Sequence, residues 1–212
     1  MIRHLVFDLD GTLVPSNDVK RSAFFECSDH VPEAAEIIAE MLDADPTRDR
    51  FRVFDDLVDR LPDCGNAADL VECYSLLCHA RIVALLLAGE TAALLDLLGA
   101  RGLVLHLSSG TPRTALVAMM EETGLDRHFD SIYGAPGDKA DRLMEIMQRH
   151  ALQPLELAVV GDGDSDARAA EAVGAAFLRV ADDASDLYGR PAGEAFTFLL
   201  ERLSCASSGV AA

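Results

Sequence analysis

A short apolar run, Leu5 to Phe7, ends in Asp8-Leu9-Asp10-Gly11-Thr12, and no further strand is convincing until Leu103. Residues 15–89 instead carry helical spacing: Phe24 and Phe25, then Ile37, Ile38, Met41 and Leu42, then Phe51, Phe54, Leu57, Val58 and Leu61. Breaks fall at Pro32, Pro46 and Pro62, and Ala67 to Ala88 reads as one long helix closed by Gly89. From Gly89 the pattern alternates: helix Thr91–Ala100, strand Leu103–Leu107, helix Thr114–Thr123, strand Phe129–Tyr133, helix Lys139–His150, strand Leu157–Val160, helix Ser165–Val173, strand Ala176–Val180. Alternation of this kind predicts a parallel sheet with helices on its faces. A lone N-terminal strand can bury its apolar residues only by joining that sheet. The expected fold is therefore α/β: a Rossmann-like parallel-sheet core from 1–14 and 90–212, with an all-α helical cap inserted at 15–89. The exits at Val14–Ser16 and Gly89 would be hinges. The tail, Ser204 to Ala212, is expected to fray.

Ligands of open α/β sheets sit beyond the carboxyl ends of the strands, and four such ends here are polar. The first holds Asp8 and Asp10, carboxylates close enough to repel unless a cation or a shared proton intervenes. The second is Ser108-Ser109-Gly110-Thr111-Pro112, offering a hydroxyl and backbone N–H groups to an anionic oxygen. An ordinary helix start, with a Ser cap and Pro in the first turn, is the simpler reading of that stretch alone. The third, Tyr133-Gly134-Ala135-Pro136-Gly137-Asp138-Lys139, delivers one lysine onto a helix. The fourth, Gly161-Asp162-Gly163-Asp164-Ser165-Asp166, sets three carboxylates within five residues, a pattern suited to a hard cation. Its likeness to a calcium loop fails, because the glycine at loop position six and the glutamate at twelve are missing.

Composition narrows the partners. The 212 residues are 50% hydrophobic and 25% charged, with a net charge of −18. An acidic, globular chain disfavours nucleic acid and anionic membranes as partners. Met1 leads directly into the first strand, and the longest uninterrupted apolar run, Ile82 to Ala88, is too short to span a bilayer. The five cysteines include no C-x-x-C pair and are expected to be reduced thiols in a cytoplasmic protein. The six histidines are scattered along the sequence, which argues against zinc. Oligomeric state is not readable.

Taken together, the four strand ends resemble the four motifs of the haloacid dehalogenase superfamily of phosphohydrolases. Phe7-Asp8-Leu9-Asp10-Gly11-Thr12 looks like the first, Ser109 fits the second, Lys139 the third, and Gly161-Asp162 with Asp166 the fourth. Asp8 and Ser109 stand 101 positions apart. That gap resembles the helical cap of the subgroup that includes phosphoglycolate phosphatase and β-phosphoglucomutase. The resemblance implies a Mg²⁺-dependent phosphatase acting on a small phosphorylated metabolite, with a phosphomutase as the rival and a non-catalytic binding domain behind it. In that scheme Asp8 is the nucleophile and Asp10 the acid and base. Mg²⁺ is held by Asp8, Asp10 and Asp162, with Asp166 beside the metal or behind its ligands. Ser109 and Lys139 hold phosphoryl oxygens, Ser108 being the alternative to Ser109, and Gly110 lines the substrate. Asn17 and Lys20 sit in a segment, S-N-x-x-K-x-x-A-F, that resembles metabolite-specific members, and are the candidates for substrate selection.

Overall fold

The computed structural model describes residues 1–45 and 48–207. Five strands form one parallel sheet: β1 (His4–Phe7), β2 (Val104–Pro112), β3 (Ser131–Ala135), β4 (Leu157–Gly161) and β5 (Ala176–Arg179). Their spatial order is β3-β2-β1-β4-β5. β1 is therefore central: Phe7 lies opposite Leu107 of β2 on one side and Val160 of β4 on the other. The run Leu5–Phe7 is fully buried, as a strand covered on both faces requires. The chain leaves β1 toward β2 and later returns to the opposite neighbour, β4, so the sheet reverses order at β1. Asp8 stands at that reversal, where crevices form in such sheets.

Nine helices are described: α1 (Asn17–Glu26), α2 (Ala34–Ala44), α3 (Arg50–Arg60), α4 (Ala67–Ala88), α5 (Thr91–Ala100), α6 (Arg113–Thr123), α7 (Lys139–His150), α8 (Asp164–Val173) and α9 (Ala192–Ser207). Local chemistry sets several ends. Asp49 caps α3 by accepting from the N–H groups of Phe51 and Arg52. Asp138 caps α7 by accepting from Ala140 N–H at 2.7 Å. Gly124 and Gly174 close α6 and α8 at φ of 67° and 73°, a conformation that glycine adopts without steric cost. The α7 face of the sheet is an apolar layer built from Val6, Val159, Leu143, Ile146 and Ala170.

The chain divides into two compact units, residues 1–16 with 83–212 and residues 17–82. The first is the parallel-sheet unit, and the second holds α1 to α3 and most of α4. The division at 82/83 lies inside α4 and not at Gly89. Tyr188 explains this: its hydroxyl donates to the Leu85 carbonyl at 2.9 Å, and a Cβ on Gly89 would meet its ring at 2.4 Å. The last turns of α4 are thus built into the sheet unit.

Several expectations need correction. β2 continues past Leu107 to Pro112, since the polar Ser108–Thr111 stretch stays extended beside β3, with a register shift between Ser108 and Pro112. Gly134 allows that close approach: a Cβ there would meet the Arg113 backbone at 2.4 Å. The C-terminal helix α9 went unread; Ser204 to Ser207 belong to it, residues 208–212 lie outside the description, and so does the break at Pro46. α4 is long and apolar enough to cross a membrane by length and composition, with a mean hydropathy of 1.7. One face of it, Leu70, Tyr74, Cys78, Ile82 and Leu86, is nonetheless buried, and Arg81 pairs with both carboxylate oxygens of Glu26 at 2.6 Å.

Not all five cysteines are reduced: Cys27 and Cys73 form a disulfide, joining the end of α1 to α4 across 46 positions. Titration of the denatured, unreduced protein with a thiol reagent is expected to count three thiols (Cys64, Cys78 and Cys205) and five after reduction. Nor are the histidines scattered in space: His4, His106 and His150 converge in the sheet unit.

Candidate active site

The end of β1 turns sharply. Leu13 N–H donates to the Leu9 carbonyl at 2.9 Å and Gly11 N–H to the Val14 carbonyl at 2.9 Å, which folds Asp8 to Val14 into a compact loop. Asp8 is anchored through its own N–H, which donates to Val160 of β4 at 2.9 Å. Its side chain is almost wholly buried and receives Lys139 Nζ at 3.0 Å. Lys139, the first residue of α7, also reaches Asp166 Oδ1 at 2.8 Å. Asp166 lies in the first turn of α8, buried, and leans on the β4 end. A Cβ on Gly161 would sit 2.6 Å from Asp166 Cγ, so the Gly161-Asp162 step is a place where only glycine lets the carboxylate approach.

One oxygen from each of Asp8, Asp162 and Asp166 lies within 4.8 Å of the others. Asp162 is steadied by Thr12 Oγ1, which donates to it at 3.1 Å. The Lys139 ammonium pairs with two of these three carboxylates, Asp8 and Asp166. Burial pushes the Asp8 carboxyl up to about 7; repulsion from Asp166 and Asp10 adds to this, and Lys139 only partly offsets it. Lys139 would be lowered by its own burial, but the carboxylates of Asp8 and Asp166 outweigh this and raise it. Converging oxygen ligands with excess negative charge are the donor set of a hard divalent cation, and these residues fit one.

Asp10 is a different environment. Its carboxylate accepts from three hydroxyls: Ser16 at 2.6 Å, Ser109 at 3.1 Å and Thr111 at 3.0 Å. Ser109 is fully buried and also accepts from Thr111 N–H at 3.0 Å. Ser108 Oγ accepts from Arg142 at 3.3 Å. In this conformation both serine hydroxyls are engaged within the protein, whereas Gly110 between Ser109 and Thr111 is exposed.

The sheet unit thus gathers Asp8, Asp10, Ser109, Gly110, Lys139, Asp162 and Asp166 from four strand ends. Asp164, by contrast, is exposed and paired with Arg179 at 2.6 Å. Asn17 and Lys20 belong to the helical unit, in the first turn of α1, exposed and half-buried respectively. Four residues escaped the sequence reading. Thr12, Ser16 and Thr111 stand inside the quoted motifs without an assigned role in the site. Arg142, three residues along α7 from Lys139, is buried and donates to the Ser109 carbonyl and the Gly137 carbonyl, both at 2.9 Å. Burial lowers its guanidinium pKa. The only hint was its helical spacing from Lys139.

No curated protein matches the sequence. Solved structures share the fold at low identity. A predicted phosphoglycolate phosphatase from Haemophilus somnus 129pt superposes with a TM-score of 0.61 at 17% identity, covering 84% of each chain. A β-phosphoglucomutase from Clostridium difficile gives 0.64 at 15% identity, covering 96% of this chain and 98% of its own. CbbY from Rhodobacter sphaeroides, solved with phosphate, gives 0.57 at 20% identity over 85% and 87%. The sequence itself matches the haloacid dehalogenase-like hydrolase family over residues 2–174, all four strand ends included, and the chain belongs to that family.

Proposed function

We propose that this protein is a Mg²⁺-dependent phosphatase that hydrolyses small phosphate monoesters through an aspartyl-phosphate on Asp8. The observation that carries the reading is the pairing of two unlike aspartates. Asp8 is buried among carboxylates and one lysine; Asp10, two residues on, sits in a ring of three hydroxyls.

In the first step an Asp8 carboxylate oxygen attacks phosphorus in line, and the P–O bond to the leaving alcohol breaks. Asp10 gives that alkoxide a proton. In the second step Asp10 takes a proton from water, which attacks phosphorus and frees the Asp8 carboxylate with release of inorganic phosphate. The hydroxyls of Ser16, Ser109 and Thr111 suit both states of Asp10, since each can donate to a carboxylate or rotate to accept from a carboxylic acid. Lys139 balances charge on Asp8 and on an entering phosphoryl group, and the backbone at exposed Gly110 offers a further donor. Mg²⁺, held by Asp8, the Asp10 carbonyl and Asp162 with Asp166 beside it, would supply charge neutralisation as the dianion approaches. We assign substrate choice to the helical unit, where Asn17 and Lys20 are the candidate contacts.

The test is turnover of p-nitrophenyl phosphate, then of a panel of phosphorylated metabolites, with Mg²⁺ and with chelator. Mg²⁺-dependent release of inorganic phosphate is expected. Absence of turnover across the panel would defeat the enzymatic reading. Phosphate retained on a sugar product after priming by a sugar bisphosphate would replace the phosphatase with a phosphomutase.

A further inference from the structure

Half of the protein's six histidines meet in one place, at the end of β1 opposite Asp8. His4 opens β1, His106 lies within β2, and His150 is the last residue of α7. A ring nitrogen of each lies within 4.8 Å of one from each of the others. His4 Nδ1 and His106 Nε2 are 3.0 Å apart, and the ring centroids are separated by 4.7 to 5.4 Å. His4 and His106 are buried, while His150 keeps a solvent-facing edge.

We propose that His4, His106 and His150 form a second metal site, for a borderline divalent cation such as Zn²⁺. Three features support it. The spacing is close to what is needed: two nitrogens bound tetrahedrally at roughly 2.0–2.1 Å stand about 3.3 Å apart, a few tenths more than the 3.0 Å between His4 and His106. Two of the outer nitrogens, those of His106 and His150, are already engaged in the way that orients metal-bound imidazoles. His106 Nδ1 is 2.7 Å from Ser131 Oγ, leaving Nε2 toward His4. His150 Nε2 is 3.1 Å from Asp130 Oδ2. Burial, with the His4 ring beside it, also holds His106 down at about 4, so that ring is a neutral ligand at pH 7. A cation there would in addition lie at the C-terminal end of α7, where the helix dipole favours positive charge.

The chemistry is distinct from that of the carboxylate site. Nitrogen ligands select Zn²⁺, Co²⁺, Ni²⁺ or Cu²⁺ over Mg²⁺. The placement also has a consequence. α7 runs from Lys139, bonded to Asp8, to His150, so an ion at the histidines pins the far end of the helix that carries Lys139.

The experiment loads chelator-treated protein with Co²⁺ while excess Mg²⁺ occupies the carboxylates. One Co²⁺ per chain with visible d–d bands of low-coordinate nitrogen ligation is expected, and Zn²⁺ should displace it. His150→Ala and His150→Gln should lose the bands and the rise in melting temperature caused by Zn²⁺. Ser131→Ala should keep the bands but weaken affinity by about tenfold. Asp162→Asn should leave them untouched, which separates this site from the carboxylates. Bands absent from the wild type, or equal in the wild type and both His150 variants, would overturn the proposal and leave an imidazole cluster held only by hydrogen bonds.

Discussion

Asp8→Asn should lower kcat toward p-nitrophenyl phosphate by on the order of 10⁴ or more, because an amide can neither attack phosphorus nor carry the phosphoryl group. The same variant should be more stable than the wild type in chelator at pH 8. Burial raises the folded-state pKa of Asp8 to about 7, above the ordinary carboxylate value, so the folded protein binds the extra proton between those limits. Stability contributed by that proton is present at low pH and lost as pH rises through 7. Asparagine removes the cost of an ionised buried carboxylate, and the stability gap should shrink as pH falls from 7 toward the ordinary carboxylate value. Denaturant midpoints at the two pH values, read beside steady-state rates, check both halves. Retained turnover would remove Asp8 as nucleophile; lost turnover with lost stability would mean that the substitution had damaged the fold.

Such a trade between stability and chemistry explains which parts of this protein were legible in advance. Asp8, Asp10, Lys139, Asp162 and Asp166 set charge just beyond apolar strands, where burial ordinarily disfavours it, so they stand out in a sequence. Other elements were equally plain: α7 by its amphipathic spacing, α4 and α5 by long apolar runs that end at or just before Gly89 and Gly102. What stayed hidden depends on contacts distant in sequence. His4, His106 and His150 come from two neighbouring strands and the end of a helix, and no linear spacing joins them. Cys27 and Cys73 meet only because α1 packs beside α4 within the helical unit. The extension of β2 through Ser108–Thr111 was masked by polar composition. There the Ser109 and Thr111 hydroxyls bond Asp10, and the backbone pairs with β3 at Ser108 and Pro112 on either side, so a polar stretch holds its strand geometry through tertiary bonds.

Arg142 is the sharpest case, since a lone arginine on an amphipathic helix normally reads as solvated surface. Here it is buried, and its guanidinium joins the β2 end to the loop before α7 through the carbonyls of Ser109 and Gly137 and the hydroxyl of Ser108. Those are the two segments that present Ser109, Gly110 and Lys139 to the site. Arg142→Met fills much of the volume but leaves buried carbonyls without donors, at a cost of about 2–4 kcal/mol. It also frees the two segments to shift relative to each other, and a displacement of about 1 Å in positioning groups can cost roughly 100-fold in rate. The expected outcome is a lowered denaturant midpoint together with a fall in kcat/KM of about 10- to 100-fold. Arg142→Lys should not restore either value, because a single ammonium cannot reproduce a planar fork bridging two carbonyls on different segments. A wild-type midpoint and rate in Arg142→Met would show that the guanidinium holds nothing in place, and the Ser109–Lys139 geometry would then have to rest on the Asp10 hydroxyl ring and the Lys139 ion pairs alone.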